Sequence, residues 1–227
     1  MKALLWKDYR VNRSVLLIAA VMLVGPYLAA VAFAAASGRE TLASPRWWCE
    51  ALTNAAMISV ALSLLSVSML GANAFATERA DRSAEFFAYL PPTRARALLS
   101  KAILALSAGC AIWLVHAVLA MVVLPRLDAM SSGISLPDGT IKFLLPTAVL
   151  VFGTAWAAST VLSSPAAAAG LSFAAPLIVG GALLTLSHFT GAPRSEDLEA
   201  WYRAACVTLG VFAFILFSVV YTRRVTP

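Results

Sequence analysis

Charge is scarce in this chain of 227 residues: 12% are Asp, Glu, Lys or Arg, 61% are hydrophobic, and the mean hydropathy is +0.84. Soluble domains carry about a quarter charged residues, so an ordinary water-soluble fold is excluded. Catalytic signatures are scarce too. There is no GxxxxGK[ST] phosphate loop, no HExxH and no GxSxG, which removes a self-contained ATP site, a zincin centre and a nucleophile elbow. Histidine occurs twice, and the three cysteines, Cys49, Cys110 and Cys206, have no close spacing. Neither a disulfide framework nor a zinc site is indicated, so no catalytic or metal-ligating set is assigned.

What is present is a series of long uncharged runs. A helix of about 20 apolar residues crosses a bilayer core of roughly 30 Å, and the sequence predicts six such spans: 15–36, 51–76, 102–125, 143–162, 166–189 and 204–221. The expected fold is all-α, a polytopic membrane protein forming one transmembrane domain over residues 1–227. The first span follows a basic start and imitates a signal peptide, but its 22 apolar residues exceed an h-region of about 7–15; it is read as retained. Residues 143–189 hold no charge and as one helix would reach about 70 Å, so a turn is required, and Ser163-Ser164-Pro165 supplies it. Pro176 and Gly180-Gly181 predict a kink in the fifth span. Residues 1–14 read as a short interfacial helix, and 196–205 as another that buries Leu198, Trp201 and Tyr202.

The net charge of +6 accompanies no nucleic-acid-binding motif, so no nucleic-acid partner is expected. The basic excess orients the chain instead. With both termini inside, the inner segments hold eleven Lys and Arg, and the outer loops hold six together with seven acids. Both termini are therefore expected in the cytoplasm.

Polar residues inside the spans are few. His116 is the one ionisable group well within a span; such a group marks a functional site or hydrogen-bonds a neighbouring helix. Cys110 lies about 600° away around the helix, a poor nucleophilic partner. Ser59, Ser63, Ser66 and Asn73 share one stripe of the second span. That stripe lines a substrate path or subunit seam, or its hydroxyls bond their own helix and permit close packing.

The long polar interruption, residues 77–101, carries eight of the 28 charged residues. A helix capped by Thr77 would set Ala80, Ala84, Phe87 and Leu90 on one side and end at Pro91-Pro92. Arg94, Arg96 and Lys101 would then snorkel to the headgroups. Physics leaves this element as a lipid-surface helix or a partner-binding one.

The order Glu78-Arg79, Ser83, Glu85-Phe86-Phe87, Leu90-Pro91, Thr93-Arg94 and Lys101 resembles the segment that follows the second span in permeases of the ABC type-2 transporter family. Leu4-Leu5-Trp6-Lys7-Asp8 resembles that family's opening helix. The resemblance implies a cytoplasmic coupling helix over 77–92 gripped by a separate ABC ATPase, and a second permease copy or paralogue. It places the chain in a bacterial-type cytoplasmic membrane and makes it an exporter subunit rather than an enzyme. ATP and Mg would be bound by the ATPase, with no cofactor on this chain. Glu78, Arg79, Glu85, Phe86, Phe87, Leu90, Pro91 and Arg94 are the docking residues it implies, and Ser59, Ser63, Ser66, Asn73 and His116 are candidates for the pathway or dimer seam. The rival readings are an integral-membrane enzyme using His116 with Cys110 or Ser66, and a secondary transporter. The latter lacks the midplane Asp, Glu, Lys or Arg that ion coupling needs.

Overall fold

The computed structural model describes residues 2–36, 45–80, 94–118, 139–190 and 195–223. They form six helices: α1 (Lys2–Ala36), α2 (Pro45–Ala80), α3 (Arg94–Val118), α4 (Gly139–Ser159), α5 (Pro165–Thr190) and α6 (Ser195–Arg223). Each is long and apolar enough to cross a bilayer, as expected of a polytopic all-α membrane protein.

Helix ends differ from the predicted spans for simple reasons. No Gly or Pro interrupts residues 2–24, so the first 14 residues are not a separate interfacial helix; they are the opening turns of a 35-residue α1. Likewise 196–205 is the start of α6, with Tyr202 buried and Trp201 exposed. Thr77 caps nothing, because α2 continues through it to Ala80 and its hydroxyl bonds Asn73 Oδ1 inside the helix. The turn in the long uncharged run falls over 160–164, and α5 starts at Pro165. There Pro occupies the first helical position, where its missing N–H costs nothing, and Ser164 Oγ accepts from Ala167 N at 3.3 Å. Helix α5 runs unbroken through Pro176.

Two helices form the centre. The membrane-length windows of α2 and α4 are each 61% buried, against 11–22% for the other four. Helix α4 packs on α2, α5 and α6, while α1 and α3 lean on α2. Backbones meet closely where glycine allows it. A Cβ on Gly153 of α4 would strike the carbonyl of Gly210 in α6, one on Gly210 would lie 2.5 Å from Val149 O, and one on Gly71 of α2 would lie 2.9 Å from Phe152 O. In lipid, where apolar side chains gain nothing by leaving solvent, such close approach supplies the packing energy.

Toward the end of the bundle that holds the α1 N-terminus, an aromatic core gathers around the fully buried Trp156 of α4. Phe75 meets its ring edge-on at 5.0 Å, Phe214 lies 4.9 Å away, and its Nε1 donates to Ser218 Oγ at 3.2 Å. At the opposite end Tyr202 stacks on Phe143 at 4.6 Å. The first core forms the floor on which charged residues assemble.

Candidate functional site

Three helix ends meet above Phe75: the first turns of α1, the last of α2 and the first of α3. Each sends a charge inward for a reason visible in its periodicity. Asp8, Val15 and Ala19 form the buried stripe of α1, and Lys101, Ala105, Ile112 and His116 that of α3. Asp8, Glu78 and Lys101 are 4%, 9% and 7% exposed, values at which an unpaired charge would be prohibitive.

They are not unpaired. Lys101 Nζ lies 2.9 Å from Glu78 Oε1 and 3.5 Å from Asp8 Oδ1. Lys7 Nζ reaches the same Glu78 oxygen at 2.5 Å, and Ser100 Oγ donates to Asp8 Oδ2. Two ammonium groups thus face two carboxylates, and these four charges cancel. The Lys101 ammonium also stands 5.7 Å from the centroid of the Phe75 ring, within range of a cation–π attraction. Amides extend the network along α1 and α2: Asn73 Nδ2 donates to Asn12 Oδ1 at 2.9 Å, and Asn12 Nδ2 to the Asp8 carbonyl at 2.9 Å.

Arg79, next to Glu78, turns the other way. Its Nη1 donates to the carbonyl of Thr160, just past the C-terminus of α4, where a cation offsets the helix dipole and satisfies an orphan acceptor. The last turn of α2 is thereby tied to α1 and α3 by Glu78 and to the α4–α5 turn by Arg79.

Of the docking residues implied by resemblance, Glu78 is in the cluster, Arg79 is on Thr160 and Arg94 opens α3, half-buried. Glu85, Phe86, Phe87, Leu90 and Pro91 lie outside the described residues. No family model matches this chain, and no curated protein or solved structure matches it. Sequence reasoning missed Lys7, Asp8, Asn12, Ser100 and Lys101 as one connected set, and it sent Lys101 to the headgroups. The available signal was Asp8 itself, the one acid of residues 1–36, four residues before Asn12 and in register with Val15 and Ala19.

The stripe on α2 faces its own chain. Ser59 Oγ donates to Leu23 O at 2.7 Å, next to the Met22 carbonyl that Pro26 deprives of its helical donor. Ser63 Oγ lies 2.8 Å from Ser59 O and 2.7 Å from His116 Nε2. Ser66 Oγ bonds Leu62 O at 3.1 Å and faces Met22 Sδ at 3.5 Å. Among the described residues Ser63 is the sole hydrogen-bond partner of His116; Cys110 is exposed. Two hollows, about 450 Å³ between α1 and α2 and about 240 Å³ among α2, α3, α4 and α6, are lined by neither Ser63 nor His116, and Cys110 lines the second. The Ser63–His116 contact therefore pins α3 to α2. Ser63→Ala should cost about 1 kcal/mol, the scale of a hydrogen bond between membrane helices, read as a lower midpoint in thermal unfolding of the purified protein in detergent. No change would mean that water or another group replaces the hydroxyl.

Proposed function

We propose that this chain is the membrane-spanning subunit of an ABC-type exporter. It lies in a cytoplasmic membrane with both termini inside, and a separate ATPase that binds ATP and Mg drives it by gripping residues 77–92. A second permease copy or paralogue completes the pathway. The observation that carries this reading is the ionic cluster of Lys7, Asp8, Glu78 and Lys101. The segment between Ala80 and Arg94 has both its roots in that cluster: Glu78 lies just before it and Lys101 two turns after it.

A push on such a segment is delivered to three helices at once. Moving Glu78 without Lys101 would separate charges 2.9 Å apart in a poorly solvated place, so the roots travel together and carry α1 with them. Arg79 passes the same displacement to the α4–α5 turn. This is the behaviour required of a joint that converts closure of an ATPase pair into rigid-body rocking of a helix bundle. In this reading Phe86, Phe87, Leu90 and Pro91 form the apolar anchors of the ATPase contact, and Glu85 and Arg94 orient it by charge.

The test is stimulation of ATP hydrolysis when the chain is co-purified with a co-expressed ATPase encoded beside it. A Phe86→Ala, Phe87→Ala, Leu90→Ala triple variant should lose nearly all stimulation, at least about tenfold, because buried apolar anchors of this kind carry most of the energy of a contact. Full stimulation by a folded triple variant rejects the reading.

A further inference from the structure

Helix α1 presents two unlike faces over its first four turns. The inward face carries Asp8, Asn12, Val15 and Ala19. At 100° per residue, Lys2, Trp6, Tyr9 and Arg13 fall on the opposite side within an arc of about 60°, with Arg10 alongside. All five are exposed, Trp6 at 65% and Tyr9 at 42%, and the two rings lie 5.8 Å apart. An exposed aromatic pair flanked by three cations is unusual on a helix whose only acid, Asp8, points the other way.

What covers this patch follows from its continuation. The same face of α1 runs on through Leu17, Val24, Leu28 and Val31, exposed at 57%, 47%, 64% and 48%, and in a chain that crosses a bilayer such a face meets acyl chains. Arg13 is one turn, about 6 Å along the axis, from Leu17. Arg13 and Arg10 therefore stand at headgroup level, and Tyr9 and Trp6, about 12 and 16 Å from Leu17 along the axis, lie on its water side. An acidic protein surface would satisfy the cations but would have to interrupt a continuous lipid-facing stripe.

We propose that this face of α1 is a binding site for anionic phospholipid, with Arg10 and Arg13 on the headgroup phosphate, Lys2 adding to the field and the Trp6–Tyr9 pair covering the headgroup from its water side. The Asp8 side of the same turns is locked into the ionic cluster, so an anionic lipid here holds α1 from outside at the level where α2 and α3 hold it from inside. The proposal stands whether or not an ATPase drives the chain.

The experiment uses the full chain in phosphatidylcholine vesicles carrying equal fractions of a phospholipid that bears a nitroxide quencher on its headgroup, in either an anionic or a zwitterionic form. The fluorescence belonging to Trp6 is the difference between the wild type and Trp6→Phe. The anionic lipid should quench it about threefold to tenfold more strongly, given roughly a fewfold gain per cation near a charged surface. The preference should fall toward unity in Arg10→Gln, Arg13→Gln, and in the wild type as salt rises to about 0.5 M and the screening length shortens. The wild-type salt series needs no variant to fold. Equal quenching by the two lipids overturns the proposal, as does quenching by neither, which would place protein against the patch.

Discussion

Lys101→Met should remove about 3–5 kcal/mol of folding stability, the loss typical when one partner of a buried ion pair is taken away. Met keeps the length and apolar stem of the side chain, so the variant isolates the charge. The loss is large because two carboxylates depend on this one ammonium, at 2.9 and 3.5 Å. Glu78 would keep Lys7, whose side chain is 30% exposed, but Asp8 would keep only the Ser100 hydroxyl and remain a buried anion. A second substitution reverses the sign. Asp8→Asn together with Lys101→Met restores neutrality and leaves Lys7–Glu78 in place, so the double variant should be more stable than Lys101→Met alone, with a coupling of about 1–3 kcal/mol. Chemical unfolding of the four proteins in one detergent closes the cycle. Additive losses, or a Lys101→Met variant within about 1 kcal/mol of wild type, would mean that water reaches the cluster and that it behaves as a surface network.

Gly153→Ala should be the most damaging Gly→Ala change among the described residues. Its Cβ would meet the Gly210 carbonyl, and the obstacle is backbone, so no rotamer change relieves it. The α4 and α6 axes must separate, and since α4 also touches Gly71 of α2 through Phe152 O, the shift disturbs both sides of the central helix. A loss of about 3 kcal/mol or more is expected, at the upper end for overpacking. Gly181→Ala is the matched control: nothing lies within 4 Å of its added Cβ, and replacing a helical Gly by Ala gains about 0.5–1 kcal/mol. Opposite shifts in unfolding midpoint for these two methyl groups are the expected result. Equal tolerance of both would show that α4 and α6 are not in backbone contact.

Much of the architecture could be read from the residues alone. Hydropathy located six helices because each needs a long uncharged run, and Ser163-Ser164-Pro165 located the one turn that no charge marks. Helix ends were harder, since nothing in residues 2–24 or 77–80 breaks a helix, whereas a change from apolar to polar composition looks like a boundary. The site was readable in fragments. Glu78 and Asp8 stood out as members of quoted motifs, but charge counting treats every Lys or Arg beside a span as a headgroup ligand. It cannot tell that Lys101 turns inward, because that depends on Phe75 and Glu78 in the preceding helix and on Asp8 in the first. The serine stripe was visible by spacing. Its partners, Leu23 O, Met22 Sδ and His116, were not, and Ser68 escaped because its hydroxyl points to another helix, bonding Ser172 of α5 at 2.8 Å.

The glycine contacts of α4 also decide where this bundle can yield. Helices separated by side chains slip by small steps as rotamers exchange, but carbonyls seated against Cα atoms move only by unseating altogether. Helices α2, α4 and α6 are therefore geared together, and shear is left to the seams of α1, α3 and α5. Away from the ionic cluster and the Asn12–Asn73 bond, the seams of α1 and α5 are fastened by hydroxyls, Ser59 on Leu23 O and Ser68 on Ala169 O and Ser172, bonds that can be traded for one with the next turn at little cost.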